Sequence, residues 1–313
     1  MPYALDPELA AALAAFPRPA APPPARGDWQ AVRTAGNVGW AVWSAAARSY
    51  PEVSTTTFFA ETADGGRIEL RWFIKEGSSP GSAVVYAHGG GMILGNLDLY
   101  AFVIAEYVAE SGVPFLAVEY RLAPQGTGTM LAEDVLTGLT WLGAHAAELG
   151  VDASRIALMG DSGGGCPAAG AAILARDRRI QVARQILIYP MLDDENLVPD
   201  PLLEPFATWT YDNNFTAWGA LLGERLGDAS VPPAAVPARL KDASGLPPAY
   251  IEVGELDIFR DEDIRYAQKL ASAGVPVELH VHPGANHGFD RLAPASKLAR
   301  RAQRDRIRVI ESV

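Results

Sequence analysis

The sequence predicts an α/β fold: an eight-stranded, mostly parallel sheet with helices on both faces. Three observations carry that reading. Short, continuously apolar runs recur along the chain, helical stretches alternate with them from about residue 83 onward, and two earlier runs flank a turn signal. Apolar runs of this length read as strands buried on both faces. Their alternation with helices implies parallel neighbours joined by right-handed crossovers.

The elements follow in order. Asp6-Pro7-Glu8 opens a helix with an N-cap carboxylate, proline at the first helical position and an acid near the positive helix end. Leu5, Leu9, Leu13 and Phe16 then share one face. Residues 17–24 hold five prolines and form a stiff link, after which residues 30–49, with Trp40 and Trp43, read as a second helix. These first fifty residues are too short for a core of their own and must lie on the main body, residues 51–313. Thr55–Phe59 and Arg67–Ile74 flank Asp64-Gly65-Gly66 and predict an antiparallel hairpin. Further strands are expected at Ala83–Ala87, Pro114–Glu119, Ile156–Met159, Gln185–Tyr189, Ala249–Val253 and Val277–Val281. Helices are expected at Leu131–His145, Gly164–Arg176 and Glu262–Ala273. A stretch from about 193 to 240 interrupts the alternation and is rich in aromatics: Phe206, Trp209, Tyr211, Phe215 and Trp218. Long insertions at strand ends border the site in open α/β sheets, so these five side chains are expected to line a lid over it.

Charge and composition narrow the function. Net charge is −11 over 313 residues, and no basic cluster interleaved with aromatics occurs, which argues against a nucleic-acid surface. The one basic run, Lys297–Arg308, reads as the solvated face of a last helix. Cys166 is the sole cysteine, so no intrachain disulfide forms and a reducing, cytoplasmic compartment is expected. The alanine-rich start carries Asp6 and Glu8 without an early basic residue, unlike a secretory signal, and no apolar stretch is long enough to span a membrane.

The chemistry concentrates in Gly160-Asp-Ser-Gly-Gly164, between the apolar run 155–159 and the small residues 164–175. A strand that ends in Gly-x-Ser-x-Gly and turns at once into a helix exposes its serine as a nucleophile. The flanking glycines are needed because the turn is too tight for side chains. Such a serine needs a base, a group orienting the base, and donors for a developing oxyanion. His287, in Pro283-Gly-Ala-Asn-His-Gly-Phe289 after the last expected strand, is the candidate base. His145 sits in a helix. His280 and His282 alternate on a strand, without carboxylates near enough in sequence to make a metal site. Asp257, directly after the strand 249–253, is the candidate orienting acid. Glu255 is a rival in the same loop, and so is Asp261, which is expected to cap the following helix. His88-Gly-Gly-Gly91 follows the strand 83–87, where N–H donors are expected. Gly90 and Gly91 would join Gly163 in the oxyanion hole, with Gly89 shaping the turn and His88 bracing the loop. No following Gly-Lys-Ser/Thr makes this tract a phosphate cradle.

With these residues in view, the chain resembles the hormone-sensitive-lipase-like group of α/β-hydrolases, in its bacterial esterase branch. The motifs are His88-Gly-Gly-Gly91, Glu119-Tyr-Arg-Leu-Ala-Pro124, Gly160-Asp-Ser-Gly-Gly164, Tyr189-Pro190 with Asp193, Gly245-Leu-Pro-Pro248 and His287-Gly288. The resemblance implies a cap built from the N-terminal helices and the insertion. It also implies hydrolysis of short- to medium-chain carboxylic esters by Ser162, His287 and Asp257, without any cofactor. Relatives of this kind often pair through the last strand and its neighbouring helix, which points to a homodimer. Three departures stand out: Gly163 where the group usually has Ala, Gln125-Gly-Thr-Gly-Thr-Met130 in place of its Glu and Phe-Pro segment, and Ile258 in place of Pro. An amidase, lactonase or deacetylase could use the same residues. A non-catalytic small-molecule receptor would be expected to lack the base.

Overall fold

Eight strands form one sheet in the computed structural model, which describes residues 3–15, 22–79 and 81–313. They are β1 (Val53–Glu61), β2 (Arg67–Lys75), β3 (Gly81–Ala87), β4 (Phe115–Val118), β5 (Val151–Asp161), β6 (Arg184–Ile188), β7 (Ala249–Gly254) and β8 (Val277–His282). Their order across the sheet is β1-β2-β4-β3-β5-β6-β7-β8. The hairpin β1/β2 and the β2/β4 pair are antiparallel, and every other pair is parallel. Strands β3, β4, β6 and β7 are almost wholly buried, as continuous apolar runs require. Strand β5 is longer than its apolar run. Gly81 pairs with Val151 and the register shifts before Ala83 pairs with Ile156, so the exposed residues 152–155 carry no apolar signal.

The helices are α1 (Pro7–Ala15), α2 (Trp29–Ala46), α3 (Leu97–Ser111), α4 (Met130–His145), α5 (Gly165–Asp177), α6 (Tyr211–Leu222), α7 (Arg260–Ser272), α8 (Phe289–Leu292) and α9 (Lys297–Glu311). Asp6 caps α1 by accepting from the Glu8 and Leu9 amides, and Leu9 is buried. Phe16 and most of the proline link lie outside the described residues. The N-terminal segment and the insertion are tied together, with the Gly27 amide donating to Thr216 (2.8 Å) and Arg26 pairing with Asp212 (2.9 Å). No helix among the described residues is long and apolar enough to cross a membrane.

Helix α9 corrects one expectation. Arg300, Arg301, Arg304 and Arg308 are exposed, but Arg306 is fully buried. It pairs with Glu252 on β7 and Asp290 on α8 (both about 2.5 Å), so part of the basic run holds the sheet to the histidine-bearing segment. Burial alone would raise the Glu252 carboxyl, but the facing guanidinium overrides it and pulls the pKa down to about 2.

Candidate active site

Neighbouring strands bring the four predicted loops to one edge of the sheet. Ala87 of β3 pairs with Gly160 of β5, which sets the glycine loop beside the serine turn. Gly254 of β7 pairs with His282 of β8, which sets the Asp257 loop beside the His287 loop. This is the carboxyl-end crevice where open α/β sheets bind ligands.

At the turn after β5, Ser162 adopts φ 54, a left-handed conformation that a non-glycine residue rarely holds. A Cβ on Gly160 would lie 2.2 Å from the Gly164 carbonyl, and one on Gly164 2.2 Å from the Ala87 carbonyl. Both glycines are therefore sterically obligatory. Ser162 Oγ lies 2.8 Å from His287 Nε2, and His287 Nδ1 lies 2.7 Å from Asp257 Oδ2. The other carboxylate oxygen accepts from the Phe259 amide (3.0 Å), and Tyr189 and Phe259 meet the imidazole edge-on. The insertion holds the histidine loop directly. Thr208 Oγ1 donates to the His287 carbonyl (2.7 Å), and Asn286 Nδ2 donates to the Phe206 carbonyl (3.1 Å). Hydroxyl, imidazole and buried carboxylate thus stand in the line that moves a proton off an alcohol.

The rival acids are engaged elsewhere. Glu255 accepts from the Gly284 amide (3.0 Å), and Asp261 pairs with Arg260 (2.7 Å). Asp261 does not cap α7 as expected. Phe259 occupies the N-cap, and Asp261 sits in the first helical turn, where a carboxylate still faces the positive helix end. His280 pairs with Glu278, and His282 faces Glu252 at 3.7 Å.

The glycine loop packs against the serine turn. A Cβ on Gly163 would lie 2.4 Å from the Gly91 nitrogen and 2.6 Å from the Met92 nitrogen. That contact leaves no room for an alanine side chain here. Gly90 and Gly91 face the cavity, whereas Gly89 lies behind them, where a Cβ would meet the Tyr100 hydroxyl at 2.5 Å. His88 is fully buried, and its Nδ1 donates to the Gly89 carbonyl (2.7 Å) while its ring stacks on Tyr120. Burial pulls its pKa down to about 4.

A cavity of about 330 Å³ opens onto Ser162. Its apolar walls come from Trp40, Trp43, Tyr100, Leu94 and Leu292, with Trp209 closing over Gly91. Of the five aromatics expected from the insertion, only Trp209 lines it. Tyr211 and Trp218 are buried on the inner face of α6, Phe215 lies under the Arg26 guanidinium, and the Phe206 carbonyl accepts from Asn286 of the histidine loop. Residues 211, 215 and 218 share one face of α6, as their i, i+4, i+7 spacing requires, but that face packs inward and against Arg26 rather than onto the cavity. Two other aromatics that line it, Trp40 and Trp43, come from α2 and are three residues apart, on one helical face. Nothing local in the sequence said that α2 crosses the site.

Sequence reasoning also passed over Asp161. Its carboxyl is buried at the cavity floor, where Oδ2 accepts from Tyr86 (2.8 Å) and Oδ1 has no described partner. Burial pushes its pKa up from 3.8 to about 6. A carboxyl harder to ionise in the fold than in the open chain favours the fold fully below 3.8, and that contribution is lost as pH rises through about 6. The gap corresponds to about 3 kcal/mol at about 1.4 kcal/mol per pH unit. Wild type is therefore expected to lose stability relative to Asp161→Asn between pH 4 and pH 7, read by urea unfolding at each pH. Parallel stability curves for the two proteins would refute this.

Comparison with known proteins agrees with the geometry. A family profile described as alpha/beta hydrolase fold matches residues 84–291, more than half of the chain. The chain is 34% identical to the ethyl acetate hydrolase of Pseudomonas putida over 244 residues, 74% of each protein. It is 37% identical to carboxylesterase NlhH of Mycobacterium tuberculosis over 214 residues, 67% of each. Among solved structures it resembles a bacterial heroin esterase, with 34% identity, a TM-score of 0.89 and coverage of 98% of this chain and 97% of the other. The hydroxyl, the glycine loop and the shared sequence converge on one conclusion: the chain belongs to the hormone-sensitive-lipase-like family of α/β-hydrolases and is a carboxylic ester hydrolase.

Proposed function

We propose that Ser162, His287 and Asp257 form the catalytic triad of a serine carboxylesterase acting on small esters with short- to medium-chain or aryl groups. The observation that carries this reading is the unbroken line from Asp257 Oδ2 through His287 to Ser162 Oγ, ending at the cavity beside the glycine loop. His287 Nε2 takes the Ser162 proton as Oγ attacks the acyl carbon, and Asp257 stabilises the imidazolium. The carbonyl oxygen, now negative, is held by the backbone N–H groups of Gly90, Gly91 and Gly163, with Gly89 shaping the turn behind them. His287 returns the proton to the departing alkoxide. Water, activated by the same imidazole, then releases the acid.

The cavity supports the substrate class, since about 330 Å³ is at the small end of ligand sites and its walls are largely aromatic. A rate panel of p-nitrophenyl esters from acetate to palmitate, with aryl acetates, amides and lactones alongside, tests it. Highest kcat/KM on an amide or lactone would overturn the ester assignment. A single cysteine, with no intrachain disulfide, supports a cytoplasmic location, and the exposed Leu279 and Val281 on edge strand β8 support pairing of two copies.

Gly163→Ala is expected to lower kcat by about 10²-fold, because its Cβ must push the Gly91 and Met92 amides away from the oxyanion position. Steady-state kinetics on p-nitrophenyl butyrate check this. A change under threefold would remove Gly163 from the hole.

A further inference from the structure

We propose that Arg33 and Asn37, on α2, are positioning residues that hold the oxyanion loop in its working shape. The inference rests on the esterase reading above. Residues 90–95 form an unusual segment: Gly90, Gly91, Met92 and Gly95 all have positive φ, and Met92 does so without glycine's freedom. A glycine-rich stretch bent this way has many competing conformations, so contacts from outside must select one.

Most of those contacts come from α2. The Arg33 guanidinium donates to the carbonyls of Ile93 (2.5 Å) and Ala123 (2.6 Å), with Gln125 Oε1 at 3.1 Å. Asn37 Oδ1, one helical turn further on, accepts from the Gly95 amide (2.9 Å). The Ala123 amide donates to the Met92 carbonyl (2.8 Å), so Arg33 grips both strands of a small loop pair. Within the loop, the Ile93 and Leu94 amides return to the Gly90 carbonyl. The guanidinium's planar fork suits two divergent carbonyls, and its face lies over Trp29 at 4.6 Å, which fixes the plane. Arg33 makes none of its described hydrogen bonds to Ser162, His287 or Asp257. Its loss should therefore loosen the donors of the hole and leave the proton-moving line in place. The same helix supplies Trp40 and Gly36 to the cavity wall, so one element reaches both the cavity and the glycine loop.

The experiment compares two reversible ligands of equal shape: an alkyl trifluoromethyl ketone, which adds to the serine and places an oxyanion in the hole, and the matching methyl ketone, which binds without adding. The affinity ratio between them reports the hole and cancels changes in the pocket or in overall stability. Arg33→Ala and Asn37→Ala are expected to lower that ratio by about 10- to 100-fold. Their kcat on p-nitrophenyl butyrate should fall in step, with KM changing less than about threefold. Arg33→Lys, which keeps the charge but not the fork, should fall between. A ratio within twofold of wild type in all folded variants overturns the proposal. If Arg33→Ala does not fold, Arg33→Lys and Asn37→Ala decide it by the same ratio. A wild type that does not prefer the trifluoromethyl ketone, or a Ser162→Ala protein that still does, overturns the esterase reading itself and this inference with it.

Discussion

Ser162→Ala is expected to lower kcat on p-nitrophenyl butyrate by about 10⁶-fold while leaving the fold and the affinity for a non-reacting ketone unchanged. The magnitude is that of removing the nucleophile from a serine triad, where the residual rate comes from binding and the oxyanion donors alone. The substitution deletes one oxygen. Alanine carries the same Cβ as serine, so the strain at φ 54 is not altered, and the Ser162 carbonyl still accepts from the Met191 amide (3.0 Å). What disappears is the hydrogen bond to His287 Nε2 and the attacking atom. Two measurements check it: the steady-state rate and the intact mass after a fluorophosphonate probe. Wild type should gain one adduct, on Ser162, and the variant none. A variant that retains more than about one thousandth of the activity would show that another group performs the attack.

Asp257→Asn is expected to cost about 10⁴-fold in kcat with little change in KM, and the reason is a proton on the wrong nitrogen. Asp257 Oδ1 accepts from the Phe259 amide and Oδ2 faces His287 Nδ1. An asparagine here must keep its carbonyl toward the Phe259 N–H, since the opposite orientation sets two donors against each other. Its amide N–H₂ then points at Nδ1 and makes that nitrogen an acceptor. The imidazole is forced into the tautomer with its proton on Nε2, which can donate to Ser162 but cannot take its proton. Steady-state kinetics decide the matter, and a loss smaller than tenfold would shift the orienting role to Glu255 or dispense with it. Asp257→Ala should be comparably slow without imposing that tautomer, so the pair separates lost charge from wrong orientation.

The proposed catalytic side chains were legible in the sequence because each belongs to a local pattern with a steric or positional cause. Gly160 and Gly164 are required by a turn that places backbone atoms 2.2 Å from any added Cβ. Asp257 and His287 lie in the loops just after the wholly buried β7 and the alternating apolar–polar β8. The strand count and the antiparallel hairpin at Gly65 came from the same kind of signal. Features that depend on which surfaces meet were not legible. Arg306 looked like one more solvated cation, yet it fills the space between β7 and α8. Phe206, Tyr211, Phe215 and Trp218 looked like a pocket wall because they cluster along the chain, but Phe206 lies before α6, and the face of α6 that Tyr211, Phe215 and Trp218 share packs away from the cavity.

The sequence by itself indicated the fold class and a candidate nucleophile, base and acid, because apolar period, glycine placement and strand-end position are local properties of the chain, while ester hydrolysis followed from the family resemblance. Only the tertiary structure decided that α2 crosses the glycine loop, that Trp40 and Trp43 replace most of the expected aromatics at the cavity, and that Gly163 has no room for a methyl group. Those outcomes depend on contacts between segments as far apart as Arg33 and Ala123, and packing of such segments is selected by the whole folded core rather than by any stretch of it.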